Sequence, residues 1–220
     1  MYDLEANISK VRTFRENSIA YYRKDGRQQL PWRNTKDPWK ILLAEMLLRK
    51  TTAAQTEQVY IELSEYSPEA LKDASQIDLE ELLKPLGIFK ERARLLKQVG
   101  QIVAEEGKDR LAEWDFLIKL PGVGPYAASM VLSTAFGQRK PGLDRNMIRV
   151  LERVFSITSP KERPHMDKDL WRTAEELMPE KDFSAYNWGV MDLAAAVCKP
   201  YKPRCAECPL LAICDYQLDL

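Results

Sequence analysis

Two glycines one residue apart, in Leu120-Pro121-Gly122-Val123-Gly124, constrain this 220-residue chain more than any other feature. Glycine reaches φ > 0 and allows close backbone approach, so the pair reads as a tight turn. A short helix, Trp114 to Leu120, leads into it. Pro125 follows, a residue suited to a first helical turn, and then a nearly all-apolar run from Tyr126 to Phe136. Gly137 and Pro141-Gly142 break that run, and Asp144 opens a new helix. Successive N–H groups at such a helix start form a nest for an anion, and a backbone phosphate fits one. An ordinary helix–helix turn has the same sequence.

The rest of the chain reads as helices around that turn. Residues 1 to 28 form a helix with Val11, Phe14 and Ile19 among charges. Asp37-Pro38 is a capped start for a helix from Trp39 to about Tyr60, with Leu43, Met46, Leu47 and Ala54 as its core stripe. Glu45, Arg49 and Thr52 then share one face. Ser67 to Leu83 reads as a helical pair, and Pro85-Leu86-Gly87 as a turn. In the helix over 90–105, Ala93, Leu96, Val99 and Val103 face inward, and Lys90, Arg92, Arg94 and Lys97 form a solvated face. Helices after Asp144, over 167–177 and over 183–197 complete the set. No segment alternates with period 2, so the chain is all-α.

Thirty-three basic and thirty-three acidic residues give a formal net charge of zero. That excludes a generally basic nucleic-acid coat, so any such contact must be local. No apolar stretch has the form of a signal peptide or a membrane span, which predicts a cytosolic protein, or a nuclear one if the cell has a nucleus. All four cysteines fall between Cys198 and Cys214. In a reducing compartment, clustered thiols point to an inorganic centre rather than to disulfides.

The cysteines are Cys198, Cys205, Cys208 and Cys214, spaced C-x6-C-x2-C-x5-C. Zinc and a [4Fe–4S] cluster both accept four Cys. Zinc sites usually pair two CxxC knuckles, and one CxxC with two single ligands favours the cluster. Lys199, Lys202 and Arg204 lie between the first two ligands. A loop held by a cluster would present these cations to phosphates. Their other reading is that they offset the charge of the centre. Glu45, inside Ile41-Leu-Leu-Ala-Glu-Met-Leu-Leu48, is a second candidate, since buried carboxylates are rare unless paired or functional.

LPGVG-x-Tyr126, an Asp 18 residues further on, and the cysteine spacing together resemble the helix-hairpin-helix DNA glycosylases of the endonuclease III type. The likeness runs from Leu30-Pro31-Trp32-Arg33 to Cys214. It implies a two-domain fold: a six-helix domain over 29–136, and an iron–sulfur domain from 1–28 plus 137–220. Double-stranded DNA would lie across a cleft between them, with Gly122, Val123 and Gly124 on its backbone and one nucleotide flipped out. The resemblance implies a monomer that carries a [4Fe–4S] cluster.

In that family, lyases carry Lys where this chain has Tyr126. Without the amine, Schiff-base strand cleavage loses its nucleophile, which implies a monofunctional enzyme. Tyr occurs there in adenine and in thymine mismatch glycosylases. Adenine enzymes place Gln-Gln-Thr after the catalytic Glu. Leu48-Arg49-Lys50-Thr51-Thr52 is similar to the thymine branch instead, with Arg49 and Lys50 as DNA contacts. The segment from Gly87 lacks the adenine enzymes' Tyr-Tyr loop, and the chain ends six residues after Cys214, with no further domain. The reading is therefore removal of thymine, and of uracil, opposite guanine in base excision repair, by Glu45, Tyr126 and Asp144. The alternatives are an adenine glycosylase acting opposite guanine or 8-oxoguanine, a lyase using Lys140, and a non-catalytic DNA-binding protein.

Overall fold

Every regular element in residues 6–218, the part that the computed structural model describes, is helical. The α-helices are α1 (Ile8–Asp25), α2 (Pro38–Leu47), α3 (Ala53–Leu63), α4 (Pro68–Asp73), α5 (Gln76–Leu83), α6 (Phe89–Glu106), α7 (Trp114–Leu117), α8 (Pro125–Ala135), α9 (Arg145–Phe155), α10 (Lys168–Glu176), α11 (Phe183–Ala196) and α12 (Asp215–Leu218). The first five residues of the helix expected over 1–28 lie outside the described residues. Chain packing separates two units: Gln29–Phe136 is one, and the segments on either side of it form the other.

Gln29–Phe136 is built around α2. Asp37 starts it, its Oδ1 accepting from the Trp39 N–H at 2.8 Å, which satisfies an N–H the helix leaves open. Residues 41–47 are all buried, so this part of α2 has no solvated face and must be covered on every side. Helix α8, equally apolar, packs against it. Leu63, Leu83, Leu96 and Val131 join the same core. Each fully buried leucine contributes about 1.5–3 kcal/mol.

The helix expected from Trp39 to Tyr60 is in fact two. The competing signal is a capping box at Thr52. Its Oγ1 accepts from the Gln55 N–H at 3.3 Å, and Gln55 Oε1 accepts from the Thr52 N–H at 3.2 Å. That reciprocal pair starts a helix afresh, and Lys50 turns the chain before it at φ 56°. Glu45, Arg49 and Thr52 consequently share no helix face, and Ala54 is exposed rather than in the core. A second correction concerns α6. Its stripe of Ala93, Leu96, Val99 and Val103 is buried as expected, but so is Arg92, at 7% exposure.

In the other unit, α1 lies on α11, and α11 also contacts α9. Phe14 is fully buried and meets Phe155 and Tyr186 edge-on, with ring centroids 5.0 and 5.8 Å away. Gly189 lets α1 and α11 approach: a Cβ there would sit 2.0 Å from the Ser18 carbonyl oxygen. Buried Asp192 is neutralised by Arg27, whose Nε donates at 2.7 Å and whose backbone N–H donates at 2.9 Å. Such a pair is costly to break from one side.

Candidate active site

The glycine turn uses its two glycines differently. Gly122 is left-handed at φ 78°, whereas Gly124 is extended and caps α8. Val123 is buried, and its N–H closes the turn onto the Leu120 carbonyl at 3.0 Å. Gly122 and Gly124 are exposed. Arg49, released from helix by the break after Leu47, reaches this turn, and its Nη1 donates to the Gly122 carbonyl at 3.2 Å. A Cβ on Gly122 would lie 2.8 Å from that nitrogen. The turn thus depends on glycine for its backbone angle and for the room Arg49 takes.

Glu45 lies in the last turns of α2 at 5% exposure. Tyr126 is the second residue of α8 and packs, half-buried, against the same core. Lys50 is exposed on the strained turn. Across Gly87, Leu86 is a core residue, while Ile88 is exposed and left-handed at φ 52°. Lys50 and Ile88 line one concavity with Arg49, Glu91, Arg92 and Leu95.

Asp144 belongs to the other unit. It caps α9, its Oδ1 accepting from the Met147 N–H at 2.8 Å, while Oδ2 accepts from Asn146 Nδ2 at 2.8 Å. Burial pushes its carboxyl above the ordinary value of 3.8, against hydrogen bonds from Met147 and Asn146 and the charge of Arg149 that favour the anion. Two devices hold it. Asn187, fully buried on α11, accepts from the Gly142 N–H and donates to the Lys140 carbonyl, each at 3.0 Å, and so pins the approach to Asp144. Arg149 Nη2 donates to Asn146 Oδ1 at 3.0 Å, and its Nε donates to the Cys198 carbonyl at 2.8 Å. A continuous hydrogen-bonded path therefore joins the first cysteine to Asp144. Lys140, a possible lyase amine, is ion-paired with Glu175 at 3.2 Å.

Cys198, Cys205, Cys208 and Cys214 line one small cavity closed by Arg153, Val197 and Leu211. Among the described residues, no three His, Cys, Asp or Glu are grouped closely enough to hold a metal ion as they stand. Burial pushes the Cys208 thiol up to about 11, and the other three cysteines add to the rise against one backbone hydrogen bond. Arg153, one turn beyond Arg149, donates to Cys198 Sγ at 3.3 Å, to the Lys199 carbonyl at 2.7 Å and to the Pro200 carbonyl at 3.0 Å. Lys199 and Lys202 are exposed. Arg204 is exposed too; it donates to the Ala196 carbonyl at 2.8 Å and pairs with Glu207 at 3.1 Å.

Asn146, Arg149 and Asn187 were not singled out by sequence reasoning, and Arg92 was read as solvated. Asn146 and Arg149 carried a signal, an Asp cap with polar residues at helical spacing behind it. Asn187 sits in an apolar helix as Glu45 does, and the same oddity marks it.

Residues 43–176 match the family of HhH-GPD superfamily base excision DNA repair proteins, and the chain belongs to that family. It is 46% identical to the thymine-DNA glycosylase of Aeropyrum pernix over 94% of this chain and 95% of that protein. It is also 46% identical to the thymine/uracil-DNA glycosylase of Pyrobaculum aerophilum, over 90% and 88%. A solved thermostable thymine-DNA glycosylase superposes with a TM-score of 0.90 at 30% identity, covering 98% of this chain and all of that one. Among the described residues, no helix is long and apolar enough to cross a membrane.

Proposed function

We propose that this chain is a monofunctional DNA glycosylase that removes thymine, and uracil, opposite guanine in mismatched double-stranded DNA, acting as a monomer in base excision repair. The observation that carries this reading is its 46% identity, along nearly its whole length, to glycosylases named for thymine and for thymine and uracil. The segment Leu48 to Thr52 and the tyrosine at position 126 support it.

In the reaction, the N-glycosidic bond breaks with its electron pair leaving on the base, and positive charge builds at C1′ of the sugar. Ionised Asp144 stabilises that charge and orients a water. The water oxygen bonds to C1′, and a proton passes to the carboxylate. Glu45 hydrogen-bonds the flipped base, and Tyr126 contacts its sugar side. With no lysine at position 126, the product is an abasic site in an uncut strand. Gly122 and Gly124 hold the backbone through their amides, while Val123 supports the turn from the core. Arg49 acts through that turn, and Lys199 and Lys202 meet phosphates. Lys50 and Ile88 enter the gap in the duplex.

Cys198, Cys205, Cys208 and Cys214 hold a [4Fe–4S] cluster, which supplies a rigid cross-link and no reacting group. The donor set fits: four thiols around one cavity, with burial and mutual repulsion opposing free thiolates, gain from a cationic centre that takes their protons' place.

The test uses duplexes carrying T·G, U·G, A·G and A·8-oxoguanine, with and without alkali after incubation. Thymine and uracil release, with breaks only after alkali, is expected. Release of adenine but not thymine overturns the base assignment. Breaks without alkali overturn the monofunctional one.

A further inference from the structure

Arg92 is a buried cation whose hydrogen bonds end on backbone carbonyls. Its Nε donates to Gly87 at 3.0 Å, its Nη1 to Met46 and Leu47 at 3.0 and 3.2 Å, and its Nη2 to Arg49. The carbonyls of Met46 and Leu47 are those a helix C-terminus leaves without N–H partners, and they carry the negative end of its dipole. One guanidinium fork therefore closes the end of α2 and also grips the turn before α6.

The residues just after two of these carbonyls are strained. Lys50, next after Arg49, is left-handed at φ 56°, and Ile88, next after Gly87, at φ 52°. A non-glycine residue in that region is strained, and a β-branched one such as Ile88 is an outlier. Such strain persists only where the surroundings enforce it. Both residues are exposed, and both line the same concavity with Arg92 in its wall. Lys50 sits at the turn before α3 and Ile88 at the start of α6, so each left-handed backbone also sets where a helix begins. Arg49, whose carbonyl is one of the four, also ties to the glycine turn through Gly122.

We propose that Arg92 is a positioning residue for mismatch recognition: its fork locks Lys50 and Ile88 in left-handed conformations, presenting a cation and an apolar tip to DNA from one platform fixed to the glycine turn. The inference rests on the glycosylase reading above. Lysine at position 92 keeps the charge but has no planar fork to span four carbonyls.

The experiment measures dissociation constants of wild type, Arg92→Lys, Ile88→Gly and the double variant for a T·G duplex and its matched T·A counterpart, with thermal unfolding alongside. Expected for Arg92→Lys is a loss of about tenfold on T·G, or about 1.4 kcal/mol, with little change on T·A. The double variant should lose no more than Arg92→Lys alone. Wild-type affinity, parallel losses on both duplexes, or additive losses in the double variant overturn the proposal. If Arg92→Lys does not fold, Ile88→Gly decides: glycine accepts φ 52° without strain but deletes the tip. Its loss of T·G preference with an unchanged unfolding temperature supports the platform, and wild-type preference overturns it. Wild type showing no preference for T·G sinks the mismatch reading itself, a result distinct from any variant's behaviour.

Discussion

Asp144 shows how one side chain serves folding and chemistry at once. Both oxygens are engaged, one in the cap of α9 and one by Asn146, and burial still raises its carboxyl above 3.8. The ionised form is the one that stabilises a cationic sugar. Base release should therefore fall, as pH drops, at a point above the ordinary Asp range. Asn146→Ala removes a donor to the anion, so the acid limb should move to higher pH still while the alkaline side stays put. Single-turnover rates on T·G across the acid range test this, and a limb that stays or moves down contradicts it. The stability linkage has the same origin. A carboxyl raised by the fold contributes stability that is present below 3.8 and is lost as pH rises through its folded value.

At the scale of elements, the same economy appears where helices meet. The α1–α11 contact depends on Gly189, because a Cβ there would meet a backbone oxygen, which cannot swing aside as a side chain can. Gly189→Ala should destabilise by about 3 kcal/mol or more, above the usual range for overpacking, and denaturant unfolding measures it. A cost under about 0.5 kcal/mol, the level of a neutral surface change, would show that the helices simply slide apart. The glycine was visible in the sequence, but its partner was not, since Ser18 lies 171 positions away. Local signals fared better. Asp37-Pro38, Pro125 and Asp144 start helices where read. The long helix through Arg49 failed because hydrophobic period outweighed a capping box that was equally legible, Thr52 to Gln55. Arg92 failed for a deeper reason. A charged residue on an amphipathic helix reads as solvated unless something distant needs it, and the carbonyls of Met46 and Leu47 are more than forty positions away.

For the whole molecule, a net charge of zero sets the terms of DNA binding. Affinity must come from few, local cations, and each phosphate contact contributes about −0.9 to the slope of log K against log salt on duplex DNA. Arg204 is spent on Ala196 and Glu207, and Arg49 on Gly122. The other cations assigned to DNA, Lys50, Lys199 and Lys202, are exposed; on a matched duplex, which offers no gap for Lys50 to enter, each can meet a phosphate, so the slope there should be shallow, roughly −3. Two of these three sit on the loop between Cys198 and Cys205, which Arg153 and the cysteines hold in place. Cys208→Ser should abolish absorbance at roughly 400 nm, the mark of Cys-ligated iron–sulfur, and free that loop. The slope on a matched duplex should then become shallower by about two contacts, to roughly −1. Because Arg149 joins Cys198 to Asn146 and so to Asp144, base release by DNA-saturated enzyme should also slow. A variant that loses its colour yet keeps both slope and saturated rate would mean that the cysteine loop neither carries DNA contacts nor supports Asp144. A wild type that binds zinc and no iron would replace the cluster with a simpler ion while leaving the argument about the loop intact.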